Sequence, residues 1–586
     1  MTTAKTITKQ KATGAHYTPP ELAQFVSRAI IRNCQFDNDD DVNVLDPSCG
    51  DGELLLAIAN EVPRKALPRT RLIGIESDPK ALDCATQRLC NRAGGQLSLV
   101  CDDFLGVCQG KYLESDLFAA ESCAEHIVDQ ADVIIANPPY VRTQVLGAEK
   151  AQELAKAFDL KGRVDLYQAF LVAMTLHLRP GGIIGVITSN KFLVSKGCAA
   201  LREFMAEHYD ILELYDFGDT KLFTAAVLPS VFIGKKRIKS NNGHGKSGRF
   251  VRIYEEKQAV RGEVDQEPHR QRIISLVEDG QNGLFPVGPT SFRITAGALQ
   301  LPSIRSEPWS MLTASELQWV RKIDDAASSR VTDHFSVRVG IKSNADNVFI
   351  RPQWSDLPKE STPEDELLHK LLSQGNMRPW VADEAGIKRI LYPHSMLNGK
   401  RKTISLEPYP RAEAYLTEYR KQLEARTYLI QANREWYELW VPQQPDAWQK
   451  PKVVFPDISP DPRFCFDAKG RMVNGNCYWI SANTEQEVRW LYLTIGVANT
   501  ALMTRYHDLV FCNKLYAGRR RYLSQYVERY PLPDADSKSG KVIVETARRL
   551  CTELLTTQQQ HRLQQKVERA TAEAFQVEPI IFPNQD

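Results

Sequence analysis

None of the twelve cysteines stands in a C-x-x-C pair, and their scatter over 586 residues gives no compact framework of bridges. That removes the spacing of zinc ribbons and redox dithiols, so no metal is expected and reduced thiols fit the chain. Charge of one sign is missing too: 74 Lys and Arg face 72 Asp and Glu, a net +2, so any surface that attracts a polyanion has to be local. No apolar run approaches the roughly 20 residues that cross a bilayer. The opening MTTAKTITKQKATGAHYTPP has no hydrophobic signal core. A cytoplasmic chain without membrane contact is expected. No internal repeat is visible either.

What is present between residues 20 and 235 is a series of short, continuously apolar runs separated by helical patterns: VNVLD (42–46), RLIGIE (71–76), LSLVC (97–101), DVIIA (132–136), GIIGVIT (182–188), ILELYDF (211–217) and VLPSVFIG (227–234). Runs apolar throughout, rather than at alternate positions, belong to strands covered on both faces. The fold expected is therefore α/β: a Rossmann-like, doubly wound domain over 1–238. A helix before the first strand carries Leu22, Phe25, Val26, Ala29 and Ile30 on one face. The polar stretch KKRIKSNNGHGKSGR opens a connecting region (239–299). An α+β domain rich in Trp, Tyr and Arg is expected over 300–535. A C-terminal helical segment follows (536–586), its stripe running Val544, Ala547, Cys551, Leu554 and then Leu563, Val567, Ala570.

The chemistry is concentrated at the ends of the first four strands. VLDPSCGDGELL reads strand, glycine turn, helix, and Gly50 and Gly52 let the backbone approach a ligand closely. Alone, such a turn is as often structural. Glu76, closing the second strand, is suited to a pair of ribose hydroxyls, or is simply a solvated charge. Asp103 could accept from an adenine amino group, and Phe104 could cover the ring. The fourth strand runs straight into Asn137-Pro138-Pro139-Tyr140. Adjacent prolines stiffen the backbone and remove two N–H donors, leaving carbonyl acceptors for a guest that carries N–H groups.

In this order, GAHYTPPELAQFV, VLDPSCGDGELL, IGIESDPKAL, DDFL and IIANPPYV closely resemble the Taq-type, gamma-order DNA adenine-N6 methyltransferases of restriction-modification systems. The resemblance implies S-adenosylmethionine as cofactor. Thr18 would help to hold its methionine end, Asp46, Gly50 and Gly52 would shape the turn beneath it, Glu76 would take the ribose, and Asp103 with Phe104 the adenine. It implies that Asn137 and the Pro138 carbonyl accept the two hydrogens of an adenine amine turned out of the duplex, with Pro139 stiffening the turn and Tyr140 and Phe223 against the base. Double-stranded DNA is the implied substrate. A separate restriction endonuclease or other defence-system subunits are the implied partners.

Because the methyltransferase domain cannot enclose a duplex alone, 300–535 is expected to be the DNA target-recognition domain. Arg519, Arg520 and Arg521, with Lys514, are the candidate phosphate contacts, ahead of Arg338, Lys342, Arg378, Arg389 and the KRK at 400–402. Other readings stay open: the same trap on cytosine N4, an RNA base or a protein glutamine, or an inactive methyltransferase fold that only binds DNA.

Overall fold

The computed structural model describes residues 17–36, 40–90, 96–112, 130–141, 147–160, 164–223, 228–238, 247–256, 268–511 and 518–580. The chain divides into two compact units, Met1–Ser315 with Leu515–Gly518, and Glu316–Lys514 with Arg519–Asp586.

In the first unit the seven expected strands form: β1 (Val42–Asp46), β2 (Thr70–Glu76), β3 (Gln96–Cys101), β4 (Ala131–Ala136), β5 (Leu178–Ser189), β6 (Tyr209–Asp216) and β7 (Pro229–Lys236). The sheet does not stop there. β8 (Ser247–Glu256), β9 (Gly283–Val287) and β10 (Thr290–Ala298) extend it to ten strands in the order 3-2-1-4-5-7-6-8-10-9. β1 to β5 run parallel, and β7 enters antiparallel between β5 and β6.

Successive residues of the apolar runs serve opposite faces. Val44, Leu72, Val133 and Ile135 enter one core, while Leu45, Ile73, Ile134 and Ala136 enter the other. On the first face lie α1 (Pro20–Ile31) and α2 (Glu53–Glu61); α3 (Pro79–Leu89) adds Ala85 and Leu89 to the same core. The second face takes α4 (Phe104–Tyr112), α5 (Ala148–Ala157), α6 (Leu166–His177) and α7 (Ala199–His208). The expected stripe of α1, Leu22 to Ile30, is fully buried, and each large side chain contributes roughly 1.5–3 kcal/mol. Helix and sheet meet closely because β5 has a glycine beneath: a Cβ on Gly185 would lie 2.5 Å from Ile30 Cδ1.

Residues 239–299 are therefore not a connector. Besides β8 to β10 they supply α8 (His269–Asp279), whose Ile273, Ile274, Leu276 and Val277 join the first core and whose Glu278 takes both N–H groups of Arg28 on α1 at 2.8 Å. The boundary at 300 also moves. Trp309 is buried edge-on against Phe192, and the buried Arg202 guanidinium donates to the Ser306 and Glu307 carbonyls, so residues up to 315 belong to the first unit.

The second unit is α+β. One sheet orders Arg338–Val339, Cys477–Ser481, Lys452–Pro456, Cys465–Asp467 and Trp380–Val381; another orders Ile350–Arg351, Lys388–Leu391, Leu368–Leu372 and Met472–Val473. Its core holds Trp354, Trp448 and Trp479. Lys452 and Arg471 meet Asp467 at 2.7 and 2.6 Å inside it. The closing helices, Lys538–Thr552 and Thr557–Ala574, belong to this unit rather than to a separate segment. The Glu568 carboxylate accepts from the Ala501 and Leu502 amides, at the start of the helix Ala501–Phe511. Leu563, Val567 and Ala570 are buried as expected, but the earlier stripe is Ile543, Thr546, Ala547 and Leu550, and Leu554 lies fully exposed beyond the helix end. Among the described residues no helix is long and apolar enough to cross a membrane.

Candidate active site

The strand order reverses between β1 and β4, and the crevice outside the carboxyl ends there is where doubly wound sheets hold ligands. β1 ends in Asp46, completely buried. Its Oδ1 accepts from the Ser48 amide at 3.1 Å, and its Oδ2 has no hydrogen-bond partner among the described residues. Burial pushes this carboxyl up to about 8, against the lowering effect of the Ser48 N–H. The turn that follows needs its glycines: Gly50 has φ +54° and Gly52 φ +82°, and a Cβ on Gly52 would sit 3.1 Å from Ala85 of α3. Glu76, at the end of β2, accepts from the Gly50 amide (3.0 Å) with one oxygen and from Asp78 (2.8 Å) with the other. The acid thus fastens the glycine turn; the oxygen that takes Asp78 also accepts from the Ser77 hydroxyl at 3.4 Å, while the oxygen that takes Gly50 keeps a second lone pair among the described residues.

At the end of β3, Asp103 is exposed and its Oδ1 accepts from Leu105 at the start of α4. Phe104 lies further in. It is 1% exposed, packed on Phe170 and His177, and offers no open ring face, because the first residue of α4 turns into the core beneath. Phe223, with Leu222, is buried in the first core.

β4 delivers the tetrapeptide. Pro138 is buried, and Asn137, Pro139 and Tyr140 are half-buried. Asn137 is held at both ends of its amide: Nδ2 donates to Thr18 Oγ1 at 3.0 Å and Oδ1 accepts from the Tyr140 hydroxyl at 2.9 Å. Burial pushes the Tyr140 phenol up, so it remains a donor at neutral pH. Thr18 therefore meets the catalytic candidate directly, a contact that the sequence does not disclose across 119 positions. Two further residues escaped the sequence reading. Tyr17, 56% exposed, would touch a Cβ on Gly50 at 3.6 Å; its only signal is its place beside Thr18. Asp216, at the end of β6, is buried and takes hydrogen bonds from Asn190, Tyr254 and the Gly218 amide, and nothing in the sequence marks it from other acids at strand ends.

A family profile described as Eco57I restriction-modification methylase matches residues 72–223. The chain is 42% identical over 584 residues to Type II methyltransferase M.BanIII of Aneurinibacillus aneurinilyticus, covering 99% of this chain and 100% of that one. The chain belongs to the type II restriction-modification methyltransferases. It is also 23% identical to Type II methyltransferase M.PaeR7I of Pseudomonas aeruginosa, over 89% of this chain and 86% of the relative. Among solved structures, the Type IIL restriction-modification enzyme MmeI in complex with DNA superposes with a TM-score of 0.55 at 13% identity, covering 93% of this chain and 71% of that one. The DrdV-DNA complex gives 0.51 at 14%, covering 93% and 58%. At those identities the likeness is one of fold.

In this methyltransferase the expected phosphate contacts are mostly spent inside the second unit. Arg520 is only 12% exposed and gives both N–H groups of its fork to Asp508 at 2.6 and 2.7 Å, with another to the Pro460 carbonyl. Arg521 pairs with Asp457 at 2.6 Å. Two carboxylates thus neutralise two members of the triplet, leaving Arg519 exposed. Lys514 lies outside the described residues. Arg378 and Arg389 pair with Asp383 and Asp365. Lys400, Arg401 and Lys402 differ. They are exposed on one arm of the hairpin His394–Leu397/Lys400–Thr403, turned by Asn398 and Gly399 at positive φ.

Proposed function

We propose that the chain methylates the exocyclic N6 of an adenine in double-stranded DNA, with S-adenosylmethionine as donor. The observation that carries this reading is the Asn137 amide at the carboxyl end of β4, anchored at both ends beside the Pro138 carbonyl. Such an amine is a poor nucleophile because its lone pair is shared with the ring. With its two hydrogens accepted by Asn137 Oδ1 and the Pro138 carbonyl, the nitrogen is drawn towards tetrahedral geometry and the lone pair is freed. The half-buried Tyr140 ring supplies a face for the base and for the positive charge that gathers on nitrogen.

The residues present fit the donor. Glu76 has a lone pair to spare on the oxygen that takes Gly50, and its weak 3.4 Å bond from the Ser77 hydroxyl can give way to a diol; the glycine turn exposes backbone above β1, and among the described residues Asp46 leaves Oδ2 unsatisfied there. When bound, the donor supplies a methyl group on a sulfonium, which needs no Lewis acid to leave. Asn rather than Ser at 137 favours adenine over cytosine N4 by family resemblance. In the second unit, the hairpin at 394–403 takes over from the arginine triplet as the element that grips phosphates. The whole would protect DNA from a separate endonuclease.

Nucleoside analysis of duplex DNA after incubation with labelled donor tests the reading. N6-methyladenine is expected, abolished by Asn137→Ala with donor affinity retained. Methyl on cytosine N4 or in protein would reject it.

A further inference from the structure

Tyr17 stands one residue ahead of a firmly held segment. Thr18 precedes Pro19 and Pro20, and a residue before proline is held to extended backbone. Pro19 has φ −59° and ψ 141°, and its carbonyl starts α1 by accepting from Leu22 and Ala23. In extended backbone adjacent side chains point to opposite sides. Thr18 accordingly meets Asn137 at 3.0 Å, while the ring of Tyr17 lies over the glycine turn: a Cβ on Gly50 would sit 3.6 Å from its Cε1 and 3.7 Å from its Cδ1. Burial, and after it the negative charges of Asp51, Asp78 and Glu76, push the phenol up, so the ring stays uncharged at neutral pH. Those acids differ in what balances them. Asp51 pairs with Arg88 at 3.1 Å, whereas Glu76 takes only N–H and O–H donors of Gly50, Ser77 and Asp78 among the described residues, so no cation there cancels its charge. A half-exposed aromatic ring and an uncancelled carboxylate thus border the same turn, a combination that draws a cation.

We propose that Tyr17 lets the donor site tell a sulfonium from a thioether, its ring face attracting the positive sulfur. The proposal rests on the donor reading given above. Glu76 and the glycine turn suit parts of the donor that transfer leaves unchanged, so a diol-binding acid and an open backbone do not by themselves separate donor from product. The difference between the two is one methyl group and one positive charge. The quadrupole of an aromatic ring responds to that charge more than to a neutral sulfur, and the more so when water is excluded. Because the bonding pair stays on sulfur when the methyl leaves, Tyr17 would hold the fresh donor in preference to the spent one and favour their exchange between turnovers.

The probes are S-adenosylmethionine, its thioether product S-adenosylhomocysteine, and sinefungin, which carries an ammonium where the donor carries the sulfonium. Their dissociation constants are measured by calorimetry on the full-length chain without DNA, for wild type, Tyr17→Leu and Tyr17→Phe. The side chain is 56% exposed, so neither change should disturb the fold. Tyr17→Leu is expected to weaken binding of the two cations roughly fivefold more than that of the thioether, and Tyr17→Phe, which keeps the ring, should match wild type within about twofold. Each comparison is a ratio within one preparation, so a partly misfolded sample leaves it unchanged. Equal weakening of all three probes by Tyr17→Leu would make the ring a simple cover and overturn the proposal. So would a leucine variant indistinguishable from wild type, or a phenylalanine variant that loses the preference and so assigns it to the hydroxyl. Wild type that binds none of the three would instead remove the donor reading beneath it.

Discussion

At the scale of single residues, the site joins groups that are costly to bury with groups that are costly to leave loose. Asp46 is the first kind. Its carboxyl titrates near 8 when folded and near 3.8 when free, so between those values the folded chain holds a proton that the unfolded chain does not. Its contribution to stability is complete below about pH 4 and is lost as pH rises through 8. Asp46→Asn, which cannot ionise, should therefore flatten the fall in melting temperature between pH 6 and pH 8.5; a fall as steep as in wild type would show that Asp46 is not its source. Gly52 is the second kind. Ala there meets both a positive φ and Ala85 at 3.1 Å, and about 1–3 kcal/mol of local strain should appear as weaker donor binding and a lower melting point. Equilibrium dialysis and a thermal melt on Gly52→Ala check both. The acids at the ends of β1 and β2 and the tetrapeptide were legible because each follows an apolar run. The burial of Phe104 and Phe223 was not legible, because an aromatic beside a motif looks the same in sequence whether it is open or packed in the core.

Among the elements, β1 to β7 and α1 were located from the sequence, with ends shifted by up to four residues at β5, since runs buried on both faces leave a continuous signal. β8 to β10 were missed: the polar stretch before β8 looks like a linker, and Arg249, Arg252 and Arg293 interrupt its apolar pattern and that of β10. The ion pairs of Arg520 and Arg521 were hidden for a different reason. Charge is visible in sequence and its neutralisation is not, since Asp508 and Asp457 lie 12 and 64 positions away. Two opposite outcomes follow. Arg520→Ala should destabilise the chain by about 3 kcal/mol, by stranding a partly buried Asp508, and leave the salt dependence of DNA binding alone. Lys400→Ala with Lys402→Ala should leave stability unchanged and reduce the slope of log affinity against log salt by up to about 0.9 per lost contact. A salt titration of both variants on cognate and unrelated duplexes decides between them; an unaltered slope in the lysine pair would make the hairpin an ordinary solvated edge.

At the scale of the whole molecule, where the first unit ends is a matter of burial rather than of composition. Residues 301–315 carry no strand or helix that would announce them, save the first two residues of Ala314–Ala326. Yet Trp309 fills the second core, and the Ser306 and Glu307 carbonyls hold a guanidinium that meets no acid there. Removing them opens a large cavity and leaves that buried cation short of acceptors. In the full chain, Trp309→Ala should cost roughly 3–5 kcal/mol, read as a lower melting midpoint, and a boundary drawn at 300 predicts no such loss.

The path of the chain through the sheet also sets the order in which the molecule is finished. Thr18 leaves the ribosome ahead of its partner just beyond β4, 119 positions later, and ahead of the strand that seats its helix, β5. At about 5–20 residues per second, roughly 6–24 s of synthesis separate the two halves of that one hydrogen bond. The segment that carries Thr18 must wait, and the nascent chain can complete the surroundings of Asn137 only after β5 is made.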